Sequence, residues 1–202
     1  MFRKGLLVVI SGPSGTGKGT VLKFIKEAND NIRYSVSATT RKPREGEIDG
    51  VNYFFKTIEE FKAMIERDEL IEWVQYCDNY YGTPREFIDQ CINNGLDVIL
   101  EIEVEGALNI RDRFPECITI FILPPSFKEL VKRIENRGTE KVETINKRMN
   151  QAKRELTYVH KYDYIVVNDK VEEAVKDINS ILLAEKLRFK RNKDLLKNLD
   201  LV

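Results

Sequence analysis

Residues 6–20 read LLVVISGPSGTGKGT, and this stretch decides the fold. It begins with an apolar run, Leu6–Ile10, that has the length and composition of a buried strand. A glycine-rich loop follows, and a helical pattern covers Gly19–Ala28. Glycines let the backbone turn so that successive N–H groups point inward, and the helix N-terminus adds partial positive charge. Strand, loop and helix in this order predict a phosphate-binding loop, with Lys18 at the β- and γ-phosphates.

The loop departs from the usual motif at one position. Gly19 stands where a Ser or Thr normally follows the lysine, and Thr20 supplies a hydroxyl group one residue later. The motif predicts nucleoside triphosphate binding only as a class, because GTP switches, motor ATPases and small-molecule kinases all share it. Other residues must therefore identify the acceptor.

The composition excludes several classes of protein. The chain has 202 residues with 33 basic and 33 acidic side chains, so its formal net charge is zero. Proteins that coat nucleic acid or anionic membranes usually have a basic excess, so we expect neither as a partner. Leu6–Ile10 is too short to span a membrane or to form the core of a signal peptide. Three widely spaced cysteines without a CxxC pair and a single histidine, His160, predict no zinc site and no disulfide framework in a cytoplasmic protein.

Short apolar runs alternate with helical patterns, which predicts an α/β fold with a five-stranded parallel sheet flanked by helices. The predicted strands are Leu6–Ile10, Ile32–Val36, Val98–Ile102, Thr119–Leu123 and Tyr164–Val167. The predicted helices outside residues 38–81 are Gly19–Ala28, Pro84–Asn94, Phe127–Asn136 and, approximately, Val142–Lys161 and Val171–Arg191.

Residues 38–81 break the alternation with turn residues and short strand-like runs, so we interpret them as a small β-rich insertion. One helix is predicted inside it, at residues 58–67. Capping boxes, in which Glu follows Ser or Thr by three residues, predict the starts of three helices. The pairs are Thr57 with Glu60, Thr83 with Glu86, and Ser126 with Glu129.

Several further motifs occur together with the phosphate-binding loop. They lie at residues 35–53, 72–73, 79–83, 100–106, 124–126, 137–140 and 166–169. This series resembles guanylate kinases, the nucleoside monophosphate kinases that make GDP from GMP, over nearly the whole chain to about Ala184. The resemblance implies one domain with the P-loop NTPase fold. Its parts would be a GMP-binding lobe at residues 38–81, a helical lid at about residues 126–155, and a core of residues 1–37, 82–125 and 156–202.

Arg41 and Arg44 lie three residues apart after a predicted strand. Two guanidinium groups can hold one dianionic phosphate through forked hydrogen bonds, and tyrosine hydroxyls add neutral donors. The resemblance implies that Arg41, Arg44, Tyr53 and Tyr81 bind the phosphate of GMP.

The resemblance also implies that Glu72 reads the guanine base, with Ser37, Thr83 and Glu103 around it. A carboxylate accepts hydrogen bonds from two neighbouring N–H donors of guanine, whereas adenine places an acceptor at one of these positions. A site built on required hydrogen bonds discriminates strongly for this reason.

Glu101 and Glu103 alternate at the end of a predicted strand, so they point to opposite faces. Many members of the family have Asp at one or both positions, which leaves the division of roles between them open. We expect Glu101 and Thr20 to contribute indirectly to binding the Mg²⁺ that accompanies ATP. The implied ATP-binding residues are Gly12, Pro13, Ser14, Gly15, Thr16, Gly17, Lys18, Gly19, Thr20 and, near adenine, Asn168.

Basic residues follow the Pro124–Pro125 pair. Arg133 and Arg137 are one helical turn apart, and Arg148 follows a predicted bend. In the resembled family such arginines close over the triphosphate, where fixed cations stabilise the transferring group. The implied catalytic residues are Lys18, Arg41, Arg44, Arg133, Arg137 and Arg148.

The sequence thus predicts direct phosphoryl transfer from MgATP to GMP, with dGMP as a further expected acceptor. Two alternatives stay open: a non-catalytic guanylate-kinase-like module that binds protein partners, and a kinase for another nucleoside monophosphate or small molecule. A GTP switch is disfavoured because the sequence has no Asn-Lys-x-Asp motif. The oligomeric state is left open.

Overall fold

The computed structural model of the chain describes residues 4–76, 78–135 and 142–193. Strands and helices alternate along most of this length, which confirms the predicted α/β class. The strands are β1 (Leu7–Ser11), β2 (Ile32–Tyr34), β3 (Ala38–Thr39), β4 (Phe54–Phe55), β5 (Leu70–Tyr76), β6 (Asn79–Pro84), β7 (Asp97–Glu101), β8 (Ile118–Leu123) and β9 (Tyr164–Val167). The α-helices are α1 (Lys18–Ala28), α2 (Ile58–Glu66), α3 (Arg85–Asn93), α4 (Val104–Arg113), α5 (Phe127–Glu135), α6 (Val142–Leu156) and α7 (Val171–Leu187).

The large sheet consists of five parallel strands, as predicted, and their spatial order is β2, β7, β1, β8, β9. β1 is central, because Val9 is aligned with Leu100 of β7 on one side and with Thr119 of β8 on the other. Strand order reverses at β1, and in α/β sheets the ligand crevice opens at the carboxyl end of the strands at such a point. The glycine-rich loop after β1 therefore lies where a ligand is expected.

Helices cover both faces of the large sheet, which explains why its strands are continuous apolar runs. Val8 and Ile10 belong to a core shared with α1 and α7, whereas Val9 belongs to a second core shared with α3 and α4. All three side chains are fully buried. Burial of each contributes about 1.5–3 kcal/mol, so packing from both sides fixes the strand that precedes the loop.

A second, smaller sheet lies in the segment that breaks the alternation. Its strands are in the order β4, β3, β6, β5. Ala38, Phe61 and Leu70 form its core beneath α2. β6 ends at Pro84, so this sheet extends past residue 81, where the sequence analysis ended the lobe. The division of the chain into core, lobe and lid stays a prediction.

One capping box is confirmed in full and another in part. At the start of α2, Thr57 Oγ1 accepts a hydrogen bond from the Glu60 N–H group, and the Glu60 carboxylate accepts one from the Thr57 N–H group. Before α5, Ser126 Oγ accepts a hydrogen bond from the Glu129 N–H group at 3.1 Å. The Glu129 carboxylate instead pairs with Arg133 on the same helix.

The Thr83–Glu86 capping box is wrong. α3 begins at Arg85, and its N-cap residue, Pro84, makes no capping hydrogen bond with its side chain. The Thr83 hydroxyl group donates instead to the Glu72 carboxylate, at 2.6 Å. The Thr83 hydroxyl group therefore binds a buried carboxylate on the neighbouring strand instead of capping α3.

Two helices end earlier than predicted. α6 ends at Leu156, before a 3₁₀ turn at Val159–Lys161, and α7 ends at Leu187, before a 3₁₀ turn at Phe189–Arg191. The Asn192 amide donates to two carbonyl groups at the end of α7, which the helix itself leaves unsatisfied. In the described part of the chain, no helix is both long enough and apolar enough to cross a membrane.

A buried ion pair joins the large sheet to α7. Asp97, at the start of β7, is 1% exposed. Its carboxylate accepts a hydrogen bond from the Leu6 N–H group at 3.0 Å and lies 2.6 Å from the Lys186 ammonium group. A buried carboxylate is costly unless it is paired and hydrogen-bonded, so both partners stabilise the fold.

We predict that Lys186→Met lowers the free energy of unfolding by about 2–4 kcal/mol, because Asp97 then stays buried without its counter-charge. Urea denaturation followed by circular dichroism measures the loss. Lys23→Met is the matched control, since Lys23 is exposed and its pair with Glu27 spans 4.0 Å; it should change stability by less than about 0.5 kcal/mol. Equal effects of the two variants would show that the Asp97 pair has no special role.

Candidate active site

Three glycines of the loop between β1 and α1, Gly12, Gly15 and Gly17, have positive φ. Gly12 has φ of +148°, and a Cβ atom there would lie 2.3 Å from the carbonyl oxygen of Ile122. Gly17 has φ of +83°, and a Cβ atom there would lie 2.5 Å from Nδ2 of Asn168. Gly19 differs, because a Cβ atom there would meet nothing within 4 Å. The packing of the chain therefore does not explain why glycine replaces the usual Ser or Thr.

Lys18 lies across the loop. Its ammonium group donates to the carbonyl oxygens of Gly12 and Pro13, the second at 3.4 Å. Thr16 Oγ1 donates to the same Pro13 carbonyl at 2.9 Å and closes the turn. A full positive charge is thus held next to a loop that follows a strand and opens a helix, an arrangement suited to phosphate oxygens.

Asn168 connects the loop to the last strand. Its side chain is 3% exposed, and Nδ2 donates to the carbonyl oxygen of Thr16 at 2.7 Å. Its backbone N–H group donates to the Leu123 carbonyl at the end of β8. Oδ1 is buried and has no hydrogen-bond partner among the described residues. The structure thus assigns Asn168 a contact with the loop, and its predicted place near adenine stays a prediction.

The first helix of the predicted lid packs directly on the loop. A Cβ atom at Gly15 would lie 2.9 Å from Cγ1 of Ile134 and 3.2 Å from Cδ1 of Leu130, both on α5. These two side chains and Ala152 of α6 form a small separate core. Movement of α5 and α6 would therefore shift the side chains that pack against Gly15 of the loop.

Two of the three predicted lid arginines lie in the described residues. Arg133 donates to the Asn168 carbonyl oxygen at 3.0 Å and pairs with Glu129 at 3.2 Å. Arg148 is half-buried on α6. Arg137 lies outside the described residues.

Three carboxyl groups surround the Lys18 charge. Glu101 ends β7, and Glu103 is the N-cap residue of α4. Glu155, on α6, is 5% exposed and accepts a hydrogen bond from Gln151 at 3.0 Å. Burial raises the pKa of Glu155, and a hydrogen bond with Glu103 raises it further. Glu101 faces the open cleft, yet desolvation by the surrounding chain raises its pKa, while the nearby Lys18 lowers it.

The residues predicted to assist Mg²⁺ binding fit that role only if phosphate and water supply most of its ligands. Thr20 is exposed in the first turn of α1, and Glu101 is exposed at the end of β7. Both offer oxygen atoms, which Mg²⁺ prefers. No group of three or more His, Cys, Asp or Glu side chains that could hold a metal ion occurs in residues 4–76, 78–135 and 142–193.

The predicted phosphate grip is partly assembled in the small lobe. The Arg41 guanidinium carbon lies 5.3 Å from the centre of the Tyr53 ring, and the Tyr53 and Tyr81 rings meet edge to face at 6.2 Å. Arg41 also pairs with Glu47 at 2.8 Å, and both side chains are largely buried. This hydrogen bond raises the pKa of Arg41 and lowers the pKa of Glu47. The Arg44 side chain is exposed, and its backbone N–H group, not its guanidinium group, donates to Glu47.

Glu72 is the most deeply buried acidic residue among those predicted to bind GMP. Its side chain on β5 is 5% exposed, and it accepts the hydrogen bond from Thr83. A Cβ atom at Gly106 of α4 would lie 3.1 Å from Oε2, so the glycine makes room for the carboxylate. Desolvation raises the pKa of Glu72 to about 7, whereas Thr83 and the charge of Arg113 lower it. Protein atoms leave this group few hydrogen bonds, so it is free to accept more.

Comparison with known proteins gives a consistent result. The family profile described as guanylate kinase matches residues 4–185. A guanylate kinase of Halalkalibacterium halodurans is 58% identical over 188 residues, which cover 93% of this chain and 92% of the relative. One of Caldanaerobacter subterraneus is 55% identical over 193 residues, covering 96% and 94%. The crystal structure of guanylate kinase from Anaplasma phagocytophilum has a TM-score of 0.78 at 31% identity, covering 99% of this chain and 97% of that one.

The chain belongs to the guanylate kinase family.

In this member of the guanylate kinase family, the structure brings the predicted site residues into three groups. The charges of Lys18 and Glu103 both act on Glu101, Asn168 contacts the loop, and Arg133 contacts Asn168. Arg41, Tyr53 and Tyr81 meet in the small lobe, and Glu72 meets Thr83. Ser37 is half-buried, and its backbone carbonyl accepts a hydrogen bond from Phe54. The Arg44 guanidinium group stays outside these groups.

The sequence analysis of this guanylate kinase missed three charged residues: Glu47, Glu155 and Arg113. Each contacts or influences a predicted site residue. Glu47 lies in the same motif, residues 35–53, as Arg41 and Arg44. Its negative charge near two arginines was the feature that could have predicted the pair. Glu155 and Arg113 lie on helices rich in charged residues, where no local pattern distinguishes them from solvent-exposed side chains.

We predict that Glu72→Gln stabilises this family member increasingly as the pH rises. Because the pKa of Glu72 is raised on folding from 4.5 to about 7, ionisation of this group lowers the stability of the wild type as the pH rises through that range. The variant lacks this titration, so its gain over wild type should grow by on the order of 2 kcal/mol between pH 5 and pH 8. Thermal or urea unfolding at both pH values measures the difference.

The control variant is Glu66→Gln, which removes an exposed carboxylate at the end of α2. It should leave the pH dependence of stability unchanged. A pH-independent effect of Glu72→Gln would contradict the raised pKa of the buried carboxyl group.

Proposed function

We propose that this chain transfers the γ-phosphoryl group of MgATP to GMP, giving ADP and GDP, and that dGMP is a second acceptor. The observation that carries the proposal is the buried Glu72 carboxylate in a chain that also has a glycine-rich phosphate-binding loop with Lys18. The loop serves the donor nucleotide, and the carboxylate serves a base with two adjacent N–H donors. Guanine is the purine with that edge. Family membership over residues 4–185 supports the same activity.

The acceptor phosphate is assigned to Arg41, Arg44, Tyr53 and Tyr81. Arg41 already lies against the Tyr53 ring and within reach of Tyr81. It pairs with Glu47, and a dianionic phosphate competes with that carboxylate because it offers more acceptor oxygens and a larger charge. Arg44 adds the second guanidinium group when it turns inward from its exposed position.

The transfer step needs no general base and no covalent intermediate with the protein. An oxygen of the GMP phosphate is already anionic near neutral pH and forms the new bond to the γ-phosphorus atom. The bond from that phosphorus to the bridging oxygen breaks, and ADP leaves with the electron pair. Lys18, Arg133, Arg137 and Arg148 are assigned to balance the charge that spreads over the phosphoryl oxygens.

Mg²⁺ would accompany ATP at this site and would neutralise part of the charge of its phosphates. Thr20 and Glu101 are the residues of this chain assigned to assist it. The Thr20 hydroxyl group would donate to a phosphate oxygen, and the Glu101 carboxylate would accept hydrogen bonds from water bound to the ion. Burial raises the pKa of Glu101 and the Lys18 charge opposes that rise, so a cation bound nearby would further favour the carboxylate form.

The two alternatives make different demands on the same residues. A kinase for another nucleoside monophosphate has no use for a carboxylate that accepts two hydrogen bonds from the base. A non-catalytic module has no use for Lys18 held across a glycine-rich loop. We further propose a cytoplasmic location and the division into core, lobe and lid on the grounds of sequence.

We predict turnover with GMP and dGMP when the protein is incubated with MgATP, and discrimination against AMP, UMP and dTMP by roughly 10⁴-fold or more in kcat/KM. ADP release in a coupled assay measures each rate. No turnover with GMP would refute the proposed activity. Comparable turnover with AMP at pH 8 would refute the role of Glu72 and leave the kinase class intact.

We predict that Lys18→Ala lowers kcat by about 10²–10³-fold and leaves the affinity for GMP unchanged, because the lysine serves the donor phosphates alone. Isothermal titration calorimetry with GMP and steady-state kinetics separate the two effects. Lys23→Ala on the same helix is the control, since its side chain is 72% exposed. Loss of GMP binding in Lys18→Ala would contradict the two-site arrangement.

A further inference from the structure

The proposed role of Glu72 depends on whether its carboxyl group is ionised. A carboxylate accepts hydrogen bonds only, which suits the two N–H donors of guanine at N1 and N2. A protonated carboxyl group has one donor and one acceptor, which suits the N1 acceptor and N6 donor of adenine. Protonation of this side chain therefore weakens its hydrogen bonding to guanine and improves its match to adenine.

The groups that face Glu72 act in opposite directions. Burial disfavours the charged form, and the Thr83 hydroxyl group on β6 favours it by donating to Oε1. From α4, Gly106 contributes no side chain, whereas Arg113 contributes a positive charge that favours the carboxylate. Asp112, also on α4, lines the same cavity, and its carboxylate lies 3.7 Å from the Arg111 guanidinium group. With a pKa of about 7, Glu72 is balanced between its two forms near neutral pH.

Arg113 is held beside β5 by two contacts. One guanidinium nitrogen donates to the carbonyl oxygen of Ile71, the residue before Glu72, at 3.0 Å. The other lies 3.4 Å from the Asp68 carboxylate. Arg113 and Glu72 line one cavity of about 270 Å³ together with Trp73, Asn109 and Asp112. The charge of Arg113 is thus fixed next to the base-reading strand, although the side chain does not touch the carboxylate.

We propose that Arg113 is a positioning residue for base choice: its charge, held beside β5, favours the ionised form of Glu72, the form that reads guanine and rejects adenine. This inference rests on the proposed function. Its consequence is that selectivity depends on pH. The ratio of AMP to GMP turnover rises as the pH falls below 7, and it rises further when the Arg113 charge is removed.

The chain offers a matched control in Arg85. It shares the Asp68 anchor with Arg113, because one Arg85 nitrogen lies 3.0 Å from the Asp68 carboxylate and another donates to the Asp68 carbonyl at 3.0 Å. Its guanidinium group packs over the Phe114 ring rather than beside Ile71. Arg85 also lies outside the lining of the cavity that Arg113 shares with Glu72. Arg85→Gln therefore disturbs the same anchor without changing the field at the base.

The test measures kcat and KM for GMP and for AMP from pH 5.5 to pH 9 in wild type, Arg113→Gln, Arg113→Lys and Arg85→Gln. In Arg113→Gln the acidic limb of kcat/KM for GMP should move up by roughly 0.2–0.7 of a pH unit, a size set by the half-exposed side chain. The AMP-to-GMP ratio at pH 6–7 should rise by roughly two- to fivefold. Arg113→Lys should restore most of the wild-type profile, and Arg85→Gln should match wild type.

The two nucleotides carry the same phosphate group, so titration of that group cancels in their ratio. An unchanged ratio and an unmoved acidic limb in Arg113→Gln would overturn the inference, even if kcat fell. The same shift in Arg85→Gln would also overturn it, because the anchor rather than the charge would then be responsible.

Carboxyl ¹³C NMR of Glu72 provides a second measurement that does not depend on Arg113→Gln folding. In wild type the Glu72 resonance should titrate near neutral pH; titration near the ordinary glutamate value would overturn the inference. Absence of GMP turnover in wild type is a separate outcome, since it refutes the proposed function itself.

Discussion

The hydrogen bond from the Asn168 amide to the Thr16 carbonyl is the contact on which the arrangement of the site depends. It joins the loop after the central strand to the end of the edge strand β9, two elements separated by most of the chain. Because the amide occupies the space above Gly17, the loop can carry no Cβ atom there. The Asn168 carbonyl in turn receives Arg133, so the same residue connects the loop with a lid helix. A buried hydrogen bond of this kind favours a single arrangement of the groups that it joins.

Desolvation of carboxyl groups in the site is energetically unfavourable for their charged forms. Glu72, Glu101 and Glu155 all have pKa values raised mainly by desolvation, so the folded chain holds three carboxyl groups where their charged forms are disfavoured. Structural carboxylates are treated differently in the same fold. Asp97 is equally buried, yet it is satisfied by a lysine and a backbone N–H group. Carboxyl groups with raised pKa values and no paired cation are candidates for ligand binding, whereas Asp97 already has its counter-charge.

The sequence predicted those features whose cause is local or repeated along the chain. Continuous apolar runs predicted the strands of the large sheet because both faces are buried, and glycine spacing predicted the loop because backbone geometry at Gly12 and Gly17 demands it. The Thr83 capping box was wrong because a carboxylate on the neighbouring strand, remote from the helix start, took its hydroxyl group. Arg113 and Glu155 were missed for a similar reason, since their meaning lies in what the tertiary fold places beside them. Local pattern carries no information about such partners.

The Arg41–Glu47 pair gives the small lobe a property that a bare arginine would not have. A carboxylate already neutralises the guanidinium group, so the pocket is electrically balanced before any nucleotide arrives. A phosphate that binds Arg41 must then replace the Glu47 carboxylate. Its affinity reflects only the difference between the interaction energies of the two anions with Arg41. A singly charged anion gains little binding free energy from replacing a carboxylate of the same charge. Under the proposed function, Glu47 therefore makes the lobe favour dianions over singly charged anions.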